Sequence, residues 1–250
     1  LLFTMIKAVI IFCVLTYFIA IYLTRNALKP IEITWNNQAK FIQDASHELR
    51  TPITIVSSKL EGLLKHPNNT INDEVESIAE AMNETRRLKK MINDLLTLTK
   101  EDYVDVIQKE EVDLEFLVKD LCDDFFDIAM IQNKTLKVSS NLKHKNILSD
   151  KNKLRQLFVI FLDNAFKYTK ENDFIAININ QKDNVYTEIF IIDSGVGIKQ
   201  EDIPYIFDRF FRSENVRNKD IDGSGIGLSI AKVISESLKY KLKVDSEYGK

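Results

Sequence analysis

The chain has 250 residues, 45% of them hydrophobic and 28% charged, with a formal net charge of −3. That size allows one medium domain with accessory helices, and the near-balance of charge gives no footing for nucleic acid as a partner. The two cysteines, Cys13 in an apolar run and Cys122 in a helical pattern, have neither metal-ligand spacing nor the pattern of a disulfide framework.

Leu1 to Leu23 is apolar apart from Thr4, Lys7 and Thr16. The uncharged part from Ala8 to Leu23 reaches about 24 Å as a helix. Adding Leu1–Ile6, with Lys7 snorkelling outward, reaches the ~30 Å of a hydrocarbon core. A transmembrane helix over 1–24 is therefore expected. Arg25 and Lys29 follow it at once, which puts the C-terminal side in the cytoplasm. A buried core helix and a signal peptide are the competing readings, but no small-residue cleavage site follows. The start at Leu1, without Met, leads to the expectation that an N-terminal part is missing.

Residues 25–40 read as a connector helix interrupted at Pro30, with Ile31, Trp35 and Ile42 continuing one face. Residues 41–65 and Ile71–Lys100 read as two helices joined by the breaker-rich turn His66–Thr70. The second carries Ile71, Val75, Ile78, Met82, Thr85, Leu88, Ile92, Leu95 and Thr99 at spacings of three and four. Such a hairpin, placed at 41–103, cannot bury its apolar stripe alone. Two copies forming a homodimeric four-helix bundle solve that problem, and a generic coiled coil is the alternative.

Within the first hairpin helix lies Phe41-Ile-Gln-Asp-Ala-Ser-His-Glu-Leu-Arg-Thr-Pro-Ile-Thr54. Arg50 and Thr51 fall at i+3 and i+4 from His47, so the three share a face. Pro52 removes a hydrogen bond to the carbonyl of Glu48 and is expected to loosen that turn. A carboxylate such as Glu48 beside a histidine can hold one tautomer and leave the other nitrogen nucleophilic. Taken alone, a histidine on a helix is usually just a solvated or core residue.

From about Val112 the pattern becomes mixed. Helices are expected over Leu114–Ile131, Leu154–Tyr168 and Ser224–Leu238. Strands are expected over Leu136–Ser140, Phe174–Asn180, Val185–Asp193 and Lys241–Ser246. A tight Lys182-Asp183-Asn184 turn between two strands indicates an antiparallel α+β sandwich, not a doubly wound sheet.

Five of the seven glycines fall at 195, 197, 223, 225 and 227, which suggests backbone-binding loops. Asn164, Lys167 and Tyr168, at i, i+3 and i+4, place an amide, an ammonium and a phenol on one helix face. An amide oxygen suits Mg²⁺ and a lysine suits phosphate. Asp193-Ser-Gly-Val-Gly-Ile198 follows a strand; its carboxylate, an acceptor only, suits an exocyclic amine. Phe207, Phe210 and Phe211 surround Arg209 and Arg212. Gly223-Ser-Gly-Ile-Gly-Leu228 opens a helix, as a phosphate cradle would, without being a dinucleotide fingerprint. Each of these is weak alone: the helix face could be surface decoration and the glycines a plain turn.

Together they resemble a known family. The run around His47 resembles the phospho-accepting box of sensor histidine kinases of two-component systems, with Phe41, Ser46, His47, Glu48, Leu49, Arg50, Thr51 and Pro52 in place. The later segments resemble, in order, the asparagine, first glycine, phenylalanine and second glycine boxes of the Bergerat ATP-binding fold, here over 110–250. The resemblance implies a membrane-bound ATP-dependent protein-histidine kinase whose kinase region is cytoplasmic and whose partner is a response regulator receiver domain. His47 would be the acceptor, Glu48 its orienting base, with Arg50 beside them and Thr51 positioning water for dephosphorylation of the regulator. Asn164 would hold Mg²⁺. Lys167 and Tyr168 would face the phosphates and ribose, and Asp193 the adenine. Gly195, Gly197, Gly223, Gly225, Gly227 and Leu228 would line the ATP site. Residues 199–222 would form a lid anchored by Phe207 and Phe210.

Three departures stand out. Ile160 occupies a place that is a second asparagine in many members and a glutamate in hydrolysing relatives. The glycine pair usual before the last strand is missing at Leu238–Lys241. The chain also stops at Tyr248-Gly-Lys250, where a further strand is expected. A non-catalytic ATP-binding sensor or scaffold is the alternative, and an ATP-hydrolysing switch a third reading that Ile160 disfavours.

Overall fold

A computed structural model describes residues 1–101, 107–182, 186–213 and 223–249. The turn at Asp183–Asn184, the hairpin's end at 102–103 and the lid stretch 214–222 lie outside the described residues.

Helix α1 (Leu2–Leu23) is apolar on all sides and none of its residues is buried. It is long and apolar enough to cross a membrane, with a window of mean hydropathy 2.4. A π-helical turn, Thr24–Leu28, leads into α2 (Lys29–Lys65). Pro30 lacks an N–H, and its ring would strike the carbonyl four residues back. The widened turn, in which the Lys29 N–H donates to the Thr24 carbonyl, relieves this without a break. The interruption expected at Pro30 is thus a local widening, and the connector is continuous with the first hairpin helix. Pro52 is likewise carried inside α2, buried.

The chain folds back into α3 (Val75–Glu101). The helix starts later than Ile71 because Thr70 donates its N–H and Oγ1 to Asp73 Oδ2, each at 2.8 Å, closing a turn first. Lys59 pairs with Glu80 across the hairpin.

The C-terminal part comprises β1 (Glu110–Asp113), α4 (Leu114–Ile131), β2 (Thr135–Asn141), β3 (Asn146–Ser149), α5 (Lys151–Tyr168), β4 (Phe174–Lys182), β5 (Tyr186–Asp193), a 3-10 turn (Ile203–Tyr205) and α6 (Gly227–Leu238). Asp113 caps α4 by accepting the Phe116 N–H at 2.9 Å. Asp150 caps α5 by accepting the Asn152 and Lys153 N–H groups. Strands β1 and β3 pair antiparallel, and a second sheet has the order β2-β4-β5. Its β4–β5 pair is antiparallel as expected, but β2 runs parallel to β4, because the chain returns between them through α5. Ile175, Ile177 and Ile179 are at most 1% exposed, against Leu114, Leu117, Leu121, Leu162 and Phe166. The fold is therefore α+β: an apolar helix, a helical hairpin and an α/β sandwich.

The strand expected at Lys241–Ser246 is not formed. Leu242, Val244 and Ser246 are half-buried between exposed neighbours, as the alternation requires. The segment is instead tied to the loop after β5. Ile198 N–H donates to Ser246 Oγ at 2.8 Å, and Gly249 N–H to the Val196 carbonyl at 3.1 Å.

A second apolar cluster crosses between the two parts. It contains Met91 and Leu98 of α3, Leu157 of α5, Phe210, and Ile226, Ile230 and Ile234 at α6, with Phe41, Ala45, Leu49 and Ile160 at its margin.

Leu162, wholly buried on the helix that carries Asn164, tests the sandwich core. Leu162→Ala should lower unfolding stability by about 2–5 kcal/mol, measured by urea denaturation.

Candidate functional site

On α2, Ser46, His47, Arg50, Thr51 and Thr54 are all exposed, so the face inferred from helical spacing is an open one. Phe41, Ala45 and Leu49, at i, i+4 and i+8, face the second cluster. His47 lies two residues from both Ala45 and Leu49, about 200° around the helix and thus on the opposite side. Glu48 is half-buried, and no hydrogen bond joins it to His47 among the described residues. Adjacent helical positions do not face each other.

The second group of residues is assembled by backbone contacts between loops. The Val196 N–H donates to the Tyr168 carbonyl at 3.3 Å, joining the first glycine loop to the end of α5. Gly195 N–H donates to Asp193 Oδ1 at 2.9 Å. A Cβ at Gly195 would lie 2.5 Å from the Tyr168 carbonyl oxygen, so only glycine permits this approach. The Phe210 N–H donates to the Gly225 carbonyl at 3.0 Å. Gly225 has φ +70°, and a Cβ there would meet the Phe210 carbonyl carbon at 2.8 Å. Phe210 itself has φ 62°, a rare conformation for a bulky residue, held by this bond and by its burial. Phe207 and Leu228 are half-buried, and Gly227 begins α6. Asn164, Tyr168, Asp193 and both glycine loops are thereby brought around the C-terminal end of α5 and the N-terminal end of α6.

The electrostatics follow from partial burial. Asp193 is exposed as a residue, yet its carboxyl lies among enough protein atoms to lose hydration. This pushes its pKa up against the opposing Gly195 N–H, and nearby Asp173 adds to the rise. Burial also raises the Tyr168 pKa, and Arg212 counters it. The Nδ2 atom of Asn164 is buried with no hydrogen-bond partner. An orphaned buried amide costs roughly 1–3 kcal/mol unless a ligand completes it. The unpartnered amide leaves a polar group uncompensated on the face of α5 beside the first glycine loop, so Asn164 fits a role toward a bound nucleotide and its Mg²⁺. Ile160 supplies nothing polar there: its Cγ2 lies 3.6 Å from where a Cβ on Gly227 would be.

Three charged or aromatic contacts and one shifted carboxyl were not singled out from sequence. Lys90 Nζ lies 2.8 Å from Asp163 Oδ2, linking α3 to α5. Burial raises the pKa of half-buried Asp94, and the charges of Lys90 and Lys167 oppose that rise. The Arg209 guanidinium lies 4.9 Å from the centre of the Phe41 ring, and the Phe41 and Phe210 rings are 5.8 Å apart. The i, i+4 spacings Lys90/Asp94 and Asp163/Lys167 were readable; that Lys90 meets Asp163 was not.

Comparison with known proteins agrees with this geometry. The family model described as "His Kinase A (phospho-acceptor) domain" matches residues 37–103. The one described as "Histidine kinase-, DNA gyrase B-, and HSP90-like ATPase" matches residues 149–250. The chain is similar to the sensor protein CiaH of Streptococcus pneumoniae serotype 4, with 36% identity over 91% of this chain and 51% of that protein. It is also similar to the signal transduction histidine-protein kinase ArlS of Staphylococcus haemolyticus, with 33% identity over 89% of this chain and 49% of that one. The chain thus spans about half the length of the curated relatives it matches. In fold it resembles the Acinetobacter baumannii histidine kinase AdeS, with a TM-score of 0.65 and 22% identity, covering 81% of this chain and 92% of AdeS. A phospho-acceptor hairpin followed by an ATPase-type domain defines a class, and this chain belongs to the sensor histidine kinases of two-component systems.

The glycine geometry gives a direct check. Gly195→Ala should cost about 1–3 kcal/mol through the forced shift of Tyr168. Gly223→Ala, where a Cβ meets nothing within 4 Å, should leave the melting temperature unchanged.

Proposed function

We propose that this chain is the kinase portion of a membrane-bound sensor that phosphorylates His47 from ATP and passes the phosphoryl group to an aspartate of a response regulator receiver domain. The observation that carries the reading is the buried, unpartnered amide of Asn164 beside the glycine loops, in the same chain as the open His47 face. We assign 1–24 to a membrane span, 25–40 to a connector, 41–103 to the acceptor hairpin and 110–250 to the ATP-binding domain. Arg25 and Lys29 after the span favour a cytoplasmic kinase region. Ile53, Leu60 and Leu64 of α2 and Val75, Met82 and Leu96 of α3 are exposed in the single chain, which supports pairing of two hairpins in a homodimer.

Asp193 accepts the amino group of adenine, and Gly195 and Gly197 let the backbone approach the ring. Lys167 and Tyr168 face the phosphates and ribose, and Gly223, Gly225, Gly227 and Leu228 place α6's N-terminal N–H groups toward phosphate. Phe207 and Phe210 anchor the lid. Asn164 is the residue that would hold Mg²⁺, which neutralises charge on the phosphates when bound. An imidazole nitrogen of His47 forms the N–P bond as the bond from the γ-phosphorus to the bridging oxygen of ADP breaks. Glu48, which does not face His47 in the docked arrangement, turns toward the imidazole to receive its proton, and Arg50 lies on the same open face as His47 to meet anionic charge. Thr51, one turn after His47, orients water for dephosphorylation of the regulator. Because the ATP domain packs on the side of α2 away from His47, it must leave that side before transfer within one protomer. Ile160 offers no base to activate water, which favours transfer over free hydrolysis.

His47→Gln should abolish incorporation of γ-phosphate into an acid-labile, base-stable form while ATP binding persists. Phosphate still accumulating in the variant would refute the acceptor assignment. ATP binding without incorporation in the native chain would support a non-catalytic sensor or scaffold.

A further inference from the structure

Phe210 is held in a conformation that its residue type disfavours. Its φ of 62° is left-handed, which a bulky side chain adopts only where its surroundings over-determine it. Three restraints do so. Its N–H donates to the Gly225 carbonyl at 3.0 Å. Its side chain is buried in the apolar cluster that also holds Ile226 and Ile230. The third restraint comes from the acceptor helix: the Phe41 ring lies 5.8 Å from the Phe210 ring at a tilt of 42°. The Arg209 guanidinium stands 4.9 Å from the centre of the same Phe41 ring. Two consecutive residues of the ATP domain thus meet one ring of α2.

What Phe210 fixes in turn is the second glycine loop. A Cβ on Gly225 would lie 2.8 Å from the Phe210 carbonyl carbon and 2.9 Å from the Phe211 carbonyl oxygen, so backbone lies against backbone with no slack. Gly225 stands just before Gly227, where α6 begins. A shift of Phe210 therefore carries the start of α6 with it. From α2 to that loop the path is two rings and one hydrogen bond.

We propose that Phe41 is a positioning residue for the nucleotide site: through Phe210 it holds the Gly225 loop in the shape that receives phosphate, so that affinity for a nucleoside triphosphate depends on the acceptor helix. This rests on the assignment of that loop to phosphate given above. The coupling is reciprocal, and a triphosphate that settles the loop strengthens the Phe41 contact by the same factor. Helix α2 runs unbroken from Lys29 to Lys65, so Phe41 also ties the loop to the helix that follows the apolar segment.

The test is to titrate the full chain in detergent with Mg²⁺ and a non-hydrolysable ATP analogue, and separately with adenosine, which has no phosphate, comparing the native protein with Phe41→Leu. Leucine keeps the contact apolar but removes the ring that Arg209 and Phe210 meet. The analogue should bind Phe41→Leu on the order of fivefold more weakly or more, with adenosine affinity unchanged. Phe41→Met, also without a ring, should behave alike and keeps the test decisive should Phe41→Leu fold poorly. Phe41→Tyr, which restores the ring, should return analogue affinity toward the native value. A general loss of structure would weaken both ligands alike, so equal weakening for adenosine and the analogue overturns the proposal. Unchanged or tighter analogue binding in the ringless variants overturns it too, as does a tyrosine variant as weak as the leucine one. A native chain that binds the analogue no more tightly than adenosine would refute the assignment of the loop to phosphate, and the role of Phe41 would fall with it.

Discussion

Apolar burial between α3 and α6 is the contact on which the arrangement of the molecule depends. Met91 and Leu98 are at most 2% exposed, and so are Ile226, Ile230 and Ile234 opposite them. Each such side chain contributes about 1.5–3 kcal/mol when removed from water, and neither the hairpin nor the ATP domain could cover its share alone. Phe210 joins this cluster from the glycine-loop side and Phe41 from the acceptor helix. The contact is therefore continuous from the nucleotide loops to Ala45 and Leu49, on either side of His47 in sequence. Apolar contact is non-directional, so it tolerates sliding; the Lys90–Asp163 ion pair across the seam gives the docked arrangement its register.

The same contact explains how the site is held open yet ordered. Gly225 and Phe210 fix each other through one backbone hydrogen bond and a close approach that excludes a Cβ. Gly195 does the same against the end of α5. The loops are thus pinned at their glycines, with Asp193 bonded to Gly195 and the Asn164 amide left unpartnered near them. His47 stays on the opposite side of α2, in solvent. Separation of acceptor and nucleotide in this arrangement follows from which residues of α2 are apolar.

Much of this was legible in the sequence because it is written in local periods. The 3.6-residue spacing gave α3 and α4, and alternation gave β4 and β5. The glycines marked the loops because close backbone approach leaves few other choices of residue. What was not legible depends on partners distant in sequence. The parallel pairing of β2 with β4 comes from the crossover through α5. Lys241–Ser246 alternates like a strand, but Ser246 is held by the loop at Ile198 and Gln200, and alternation cannot reveal that. Pro30 reads as a break because the π-helical turn that absorbs it has no signature in composition. The meeting of Lys90 with Asp163, 73 residues apart, is likewise a product of docking.

The most direct measurement is a double-mutant cycle on Phe41 and Phe210, whose rings lie 5.8 Å apart across the seam. Urea denaturation of the native chain, Phe41→Ala, Phe210→Ala and the double variant gives the coupling between them. Direct contact between acceptor helix and ATP domain predicts a coupling of about 0.5–1.5 kcal/mol. Losses that add to within about 0.3 kcal/mol would show that the two rings do not meet in solution and would contradict the docked arrangement.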